Sequence, residues 1–284
     1  MKIAVLPNMT RVNAPQVTLG VCISLSRLGV SFVLSDKYAQ MLPSLGAVHF
    51  VPEQELVPSC DAVIAVGGDG SLIHAAKKAA LCSKPVLGVN AGRLAYMAGL
   101  ESTELELLKE LISGNYSIDK RMMLKATLCV GGDELFSSYC INDAVIARGS
   151  RLELIDTSLS CNGTHFMTYN SDGIIIATPT GSTAYSFSAG GPVIEPTVES
   201  ILVTPVCNHA LLSRPVIFGA DSVLGVRVKE GCEAVLSCDG GDGTLIPPDA
   251  LINIEKAPIY ADFIRIKNDT FMDTLGKKLS NRGI

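Results

Sequence analysis

The chain has 284 residues, 48% hydrophobic and 18% charged, with a formal net charge of −5. That composition supplies a core for one large domain or two of ordinary size and excludes a disordered chain. The acidic balance and scattered Lys and Arg leave no basic face for nucleic acid, and no apolar run reaches the roughly 18 residues of a membrane span, so neither partner is expected.

Along the chain, Lys2–Leu6 reads as a strand and Ala14–Leu28 as a helix, with Val17, Val21, Leu25 and Leu28 at helical spacing. Ser31–Leu34 is a second strand. Asp61–Val66 is a buried-type strand that runs into Gly67-Gly68-Asp69-Gly70, and Ser71–Leu81 reads as the helix after it. Pro85–Val89 and Thr103–Ile112 continue the alternation as strand and helix. Strand–helix alternation predicts an α/β domain, a mostly parallel sheet with flanking helices, over residues 1–117.

Beyond Ser117 the pattern becomes β-rich. Leu124–Val130, Leu135–Ser138, Asp143–Ala147, Leu152–Cys161, Gly173–Ala177, Leu224–Val228, Ala234–Ser237 and Leu251–Lys256 read as strands between Gly and Pro turns. A sandwich-like domain over 118–261 is expected. Asp262–Leu279 returns to a strand and a helical tail, so 262–284 forms a last segment that the pattern allows to pack back on the first domain. The nine cysteines contain no Cys-x-x-Cys pair and read as reduced core residues. Met1–Pro7 is too short an apolar start for a signal peptide, and a cytoplasmic location is expected.

Two loops carry the chemistry. In Gly67-Gly68-Asp69-Gly70, glycines let backbone N–H groups approach phosphate, and the helix that follows favours an anion at its N-terminus. A carboxylate beside phosphate is out of place unless it binds a metal or accepts a proton from an attacking hydroxyl, so Asp69 is a candidate base. The other reading is a tight turn that happens to contain Asp. In the second loop, Thr178, Thr180, Ser182 and Thr183 offer four hydroxyls, Pro179 and Gly181 shape the turn, and Tyr185 offers an aromatic face. Neither a Walker-type phosphate loop nor a Gly-x-Gly-x-x-Gly fingerprint is present.

Asp69's loop, the Asn142-Asp143 pair, and the run Asp172-Gly173 through Thr178-Pro179-Thr180-Gly181-Ser182-Thr183-Ala184-Tyr185 to Ser188-Ala189-Gly190-Gly191-Pro192 occur in the order found in the NAD kinase family, which the chain resembles over nearly its whole length. His209–Pro215 and the tail Phe271–Leu279 are also family-like. The resemblance implies phosphoryl transfer from ATP or polyphosphate to the 2′-hydroxyl of the adenosine ribose of NAD, assisted by Mg²⁺ or another divalent metal. It implies Asp69 as the proton acceptor. It implies NAD binding by Gly70, His74, Asn142, Asp143, Asp172, Thr183, Ala184, Tyr185 and Ser188, His74 standing where the family often has a basic residue on phosphate. Tyr96 is placed to stack on adenine. Gly67, Gly68, Arg93, Thr178, Thr180, Gly181 and Ser182 form the phosphate loops. No side-chain metal ligands are assigned. A homodimer or homotetramer is the family's habit.

The chain departs from the family at Asn90–Met97, where Ala95 replaces a glycine, and at Asp239-Gly240-Gly241, which lacks a glutamine. Asp239 and Asp242 read as a turn, without calcium-loop order. Arg148 and Arg214 stand as phosphate ligands or surface ion pairs, and His165 and His209 as structural. Two rivals remain at this point. One is a kinase for another acceptor sharing the Gly-Gly-Asp-Gly loop, such as a lipid kinase or phosphofructokinase. The other is a non-catalytic NAD(P) sensor.

Overall fold

The computed structural model describes all residues except 43–47, 93–96, 152, 210–213, 269, 274 and 277–284. The chain divides into two compact units, Met1–Lys120 with Ala261–Ile284, and Arg121–Tyr260.

The first unit is α/β, as the alternating pattern predicts. Its strands are β1 (Lys2–Pro7), β2 (Ser31–Ser35), β3 (His49–Val51), β4 (Ala62–Gly67), β5 (Val86–Asn90) and β6 (Leu100–Glu101). They form a parallel sheet in the order β5-β4-β1-β2-β3, with β6 also on β5. The helices are α1 (Ala14–Arg27), α2 (Glu53–Leu56), α3 (Asp69–Leu81) and α4 (Leu108–Ser113). Val17, Val21 and Leu25 of α1 pack with Ile3 and Val5 of β1 and Ile64 and Val66 of β4, the helical stripe meeting a strand buried on both faces.

Two boundaries differ from the sequence reading. Helix α3 begins at Asp69 rather than Ser71, because Gly68 serves as its extended N-cap with φ −101° and ψ −174°. Residues Leu105–Leu107 form a 3₁₀ turn, so α4 starts at Leu108 and not at Thr103.

Among its described residues the second unit is β-structured apart from a 3₁₀ turn, Gly181–Thr183, and one short helix. It holds β7 (Ser117–Val130) from Arg121 on, β8 (Asp133–Cys140), β9 (Asp143–Arg148), β10 (Ile155–Cys161), β11 (Thr164–Ser171), β12 (Gly173–Ala177), α5 (Tyr185–Ser188), β13 (Ser200–Val206), β14 (Val216–Gly219), β15 (Leu224–Val228), β16 (Ala234–Cys238), β17 (Thr244–Leu245) and β18 (Leu251–Arg265) as far as Tyr260. One antiparallel sheet runs β14-β13-β12-β9-β16-β17. The other joins β11, β10, β15 and β18, with β7 on β18 and β8 on β7. Ile146, Ile174 and Ile176 of the first sheet share a core with Leu159, Val226, Ile252 and Ile254 of the second. On the opposite face of β12, Ile175 and Ala177 pack with Val145 and Leu202. An Ile-Ile-Ile run is therefore buried on both sides at the centre of its sheet, and this is what anchors the Thr178 loop that follows.

The strand reading missed β3, β6, β11, β13, β14 and β17. It also ended β18 at Lys256, whereas the strand continues to Arg265, where Phe263 pairs in parallel with Val86 of β5. All nine cysteines are free thiols, and of these Cys22, Cys60, Cys140 and Cys238 are buried.

Candidate active site

In the first unit the site is built where β4 meets α3. A Cβ added at Gly67 would lie 2.6 Å from both Cβ and Oγ of Ser71, so the approach of helix to strand needs a glycine there. Ser71 Oγ in turn accepts a hydrogen bond from Asn8 Nδ2 at 2.8 Å, tying the loop after β1 to the first turn of α3. Asp69 is the first residue of that helix, half-buried, and its Oδ1 accepts the Met97 N–H at 2.9 Å. An acidic group in the first helical turn is favoured by the helix dipole, while the exposed Gly70 leaves the backbone approachable.

Beside this helix end lies a cavity of about 480 Å³ whose wall includes Asn8, Tyr38, Glu53, Ser71, His74 and Lys78. His74, expected on the dinucleotide, is an exposed residue of this wall. Glu53 bridges two lysines, receiving Lys37 Nζ at 2.7 Å and Lys78 Nζ at 2.6 Å. These bonds, Lys37's first, hold its carboxyl down at about 2. The three-residue bridge was not legible in the sequence, since Lys37, Glu53 and Lys78 come from three separated segments. Arg93 and Tyr96 lie outside the described residues.

In the second unit, three segments converge. Asn142 precedes β9 and Asp143 begins it, and Thr178 follows β12, the neighbouring strand. Thr178 N–H donates to the Asn142 carbonyl at 2.8 Å, and its hydroxyl donates to the Ile141 carbonyl at 2.6 Å. Gly181 presses so closely on this turn that an added Cβ would fall 2.0 Å from the Asn142 oxygen. Ser182 Oγ donates to the Pro179 carbonyl at 2.6 Å and accepts the Ile194 N–H at 3.0 Å. Thr178 and Ser182 were expected to face phosphate; both are fully buried, and their hydroxyls go to backbone groups, Thr178 to Ile141 and Ser182 to Pro179 and Ile194. Thr180 is also buried and accepts Arg121 Nη1 at 3.3 Å. Thr183 and Ala184 are half-buried, and Tyr185 and Ser188 are exposed on the short helix α5.

Asp172 precedes β12, and its Oδ1 accepts Arg148 Nε at 2.8 Å. Of the two readings open for Arg148, the geometry gives the ion pair. Arg214 is exposed; His165 shares a hydrogen bond with Ser158 Oγ at 3.2 Å; His209 is exposed with its N–H on the Asn170 carbonyl at 3.0 Å.

The third segment is the Asp239-Gly240-Gly241 turn after β16, read from the sequence as a plain turn, with no local signal of its contact with Asn142. Asp239 sits in the left-handed region at φ +53°, and its carboxylate accepts the N–H groups of Ile141, Asn142 and Asp143 at 2.9, 2.7 and 3.2 Å. Asp143 is 5% exposed. Burial, and then the nearby Asp239 charge, push its carboxyl up to about 7. An Asp near its midpoint at neutral pH both donates and accepts hydrogen bonds, which suits recognition of hydroxyl groups.

The chain matches the ATP-NAD kinase N-terminal domain over residues 29–116 and the ATP-NAD kinase C-terminal domain over residues 141–266. It is 42% identical to the NAD kinase of Symbiobacterium thermophilum over 231 residues, covering 81% of this chain and 82% of that one. It is 35% identical to the NAD kinase of Caldanaerobacter subterraneus subsp. tengcongensis over 283 residues, covering 99% of each. Its fold is similar to that of a yeast NADH kinase solved with NADH (TM-score 0.89, 23% identity, covering 100% of this chain and 88% of that one). It is also similar to that of an Archaeoglobus fulgidus NAD kinase solved with ATP (TM-score 0.78, 24% identity, covering 99% of both). Two domain matches and relatives of this identity along the chain decide the matter: the chain belongs to the ATP-NAD kinase family and is a kinase that phosphorylates NAD.

Proposed function

We propose that the chain transfers the terminal phosphoryl group of ATP, or of polyphosphate, to the 2′-hydroxyl of the adenosine ribose of NAD, giving NADP. The observation that carries this reading is the position of Asp69. It opens helix α3 directly after Gly67-Gly68, its carboxylate is fixed by Met97 N–H at 2.9 Å, and Ser71 and His74 of the same helix line a cavity of about 480 Å³. Asp69 accepts the proton of the ribose hydroxyl. The oxygen so freed bonds to the terminal phosphorus, and the bond from that phosphorus to its bridging oxygen breaks, the electron pair leaving with ADP or the shortened polyphosphate.

The cavity is the seat proposed for the donor. His74, Lys78 and Lys37 bring positive charge or hydrogen-bond donors to its wall, and the α3 N-terminus favours phosphate. Asn142 and Asp143 meet ribose hydroxyls, Asp172 is oriented by Arg148 to take the amino or amide edge of a ring, and Thr183, Ala184, Tyr185 and Ser188 line the dinucleotide pocket. The buried Thr178, Thr180, Gly181 and Ser182 shape the loop. No group of three or more His, Cys, Asp or Glu among the described residues frames a metal site. A Mg²⁺ bound with the donor would meet Asp69, a hard oxygen ligand in the glycine loop, as the residue to help hold it. When bound, the metal neutralises phosphate charge.

A homodimer or homotetramer and a cytoplasmic location complete the proposal; among the described residues no helix is long and apolar enough to cross a membrane. Light scattering on the eluting peak of a sizing column measures the assembly. The activity test incubates purified protein with NAD, Mg²⁺ and either ATP or polyphosphate and couples NADP to an NADP-specific dehydrogenase. Asp69→Asn should keep NAD binding and lower turnover by about 10²-fold or more. Unchanged turnover in that variant sinks the assignment of the base, and NAD binding without transfer from either donor favours a sensor.

A further inference from the structure

Asp239 has no role in the reaction as set out above, yet its carboxylate accepts three N–H groups of the Ile141–Asp143 turn. Three successive amides, Ile141, Asn142 and Asp143, converge on its two oxygens at 2.9, 2.7 and 3.2 Å. The bond is returned by the backbone, where Asp239 N–H donates to the Asp143 carbonyl at 2.9 Å. The β9–β16 ladder ends at the Cys238–Ala144 pair, so these contacts begin where regular pairing stops. From the other side, Thr178 holds the Ile141 and Asn142 carbonyls at 2.6 and 2.8 Å. The peptide groups carrying Asn142 and Asp143 are therefore clamped on their N–H side by one carboxylate and on their carbonyl side by one threonine.

We propose that Asp239 is a positioning residue for NAD: its carboxylate fixes the backbone of Ile141–Asp143 and thereby sets the direction in which Asn142 and Asp143 meet the ribose hydroxyls. The inference rests on the reading of Asn142 and Asp143 as dinucleotide ligands. A general property of carboxylates and one further observation support it. A carboxylate accepting several N–H groups is a strong, directional anchor compared with a neutral acceptor. Asp143 registers the same negative charge, since Asp239 is the second cause of its raised carboxyl after burial.

The left-handed backbone at position 239, φ +53°, tolerates Asn as well as Asp, so Asp239→Asn preserves the turn while removing charge and acceptor capacity. We expect the Kd and KM for NAD to rise by about 10- to 100-fold, the scale of hydrogen bonds to a charged group. The donor KM and kcat should change by less than about threefold. Hydrogen exchange should accelerate at Asn142 and Asp143 while the rest of β9 stays protected. Asn142→Ala, measured in parallel, separates the two layers of the argument. If it weakens NAD binding and Asp239→Asn does not, positioning by Asp239 is wrong and the ligand assignment stands. If neither weakens it, the ligand assignment falls and the inference with it. A parallel loss in kcat, donor KM and NAD KM also overturns the inference, because it marks a general structural defect. Should Asp239→Asn fail to fold, the wild type still decides: slow exchange of the Asn142 amide in NAD-free protein is required, and fast exchange refutes the clamp.

Discussion

Replacing Asp143 with Asn should stabilise the protein and weaken it as an enzyme. The residue is 5% exposed, and burial followed by Asp239's charge pushes its carboxyl from 3.8 up to about 7. A raised carboxyl keeps its proton in the folded state at pH values where the unfolded chain has released it. Its contribution to stability is thus full below pH 3.8 and is lost as pH climbs through about 7. At about 1.4 kcal/mol per pH unit, a displacement of about 3 gives an upper bound of about 4 kcal/mol lost by pH 8. Asn is nearly isosteric and neutral throughout, so it escapes that loss. Thermal unfolding followed by circular dichroism from pH 4 to 8.5 should show the Asn variant gaining on wild type as pH rises, by up to about 10 °C, with the gap level above about pH 7.5. The same variant should need several-fold more NAD at every pH. A melting-temperature gap that is constant with pH, or that narrows as pH rises, refutes the reasoning.

Three other substitutions probe the rest of the site. Gly181→Ala sets a Cβ 2.0 Å from the Asn142 carbonyl oxygen, so one loop must shift, at about 1–3 kcal/mol of stability and with a higher NAD KM; a wild-type melting curve and KM would contradict this. Arg148→Ala removes the group bonded to Asp172 Oδ1 at 2.8 Å and should raise the NAD KM while leaving the donor KM alone, as steady-state titration of each substrate would report. Glu53→Gln breaks a bridge whose side chains are 42–52% exposed, so it should cost less than about 1 kcal/mol of stability yet change the donor KM, because two lysines on the cavity wall are released; an unaltered donor KM would move the donor elsewhere.

The parts of this molecule legible in its sequence are those where local chemistry is restrictive. Gly67 and Gly181 stand where a Cβ would collide with Ser71 or Asn142, and Ile174–Ile176 reads as a strand because it is buried on both faces. Less was visible where the deciding contact is remote. Asp239 lies 97 positions from Asn142, and its left-handed turn looks like any Asp-Gly turn until the partner amides are in view. Strand β13 contains Pro205, which argues against a ladder position, and β11 exposes Phe166 and Met167 without alternation. The hydroxyl-rich loop was legible as a site but not in its orientation: Thr178 and Ser182 turn inward to the buried carbonyls of Ile141 and Pro179, which must be satisfied.

Strand β18 has a consequence for how the protein is made. Phe263 pairs with Val86 of β5, 177 positions earlier, and Ala261–Ile284 belongs with Met1–Lys120 although the whole of Arg121–Tyr260 is translated between them. Chains emerge from the ribosome N-terminus first. The α/β unit therefore waits with the flank of β5 unpaired at Val86 until the last strand is released, while the β-rich unit has its entire sequence available earlier. A chain ending after Tyr260 would leave that flank permanently open, and the defect of such a truncation should appear in the unit that carries Asp69.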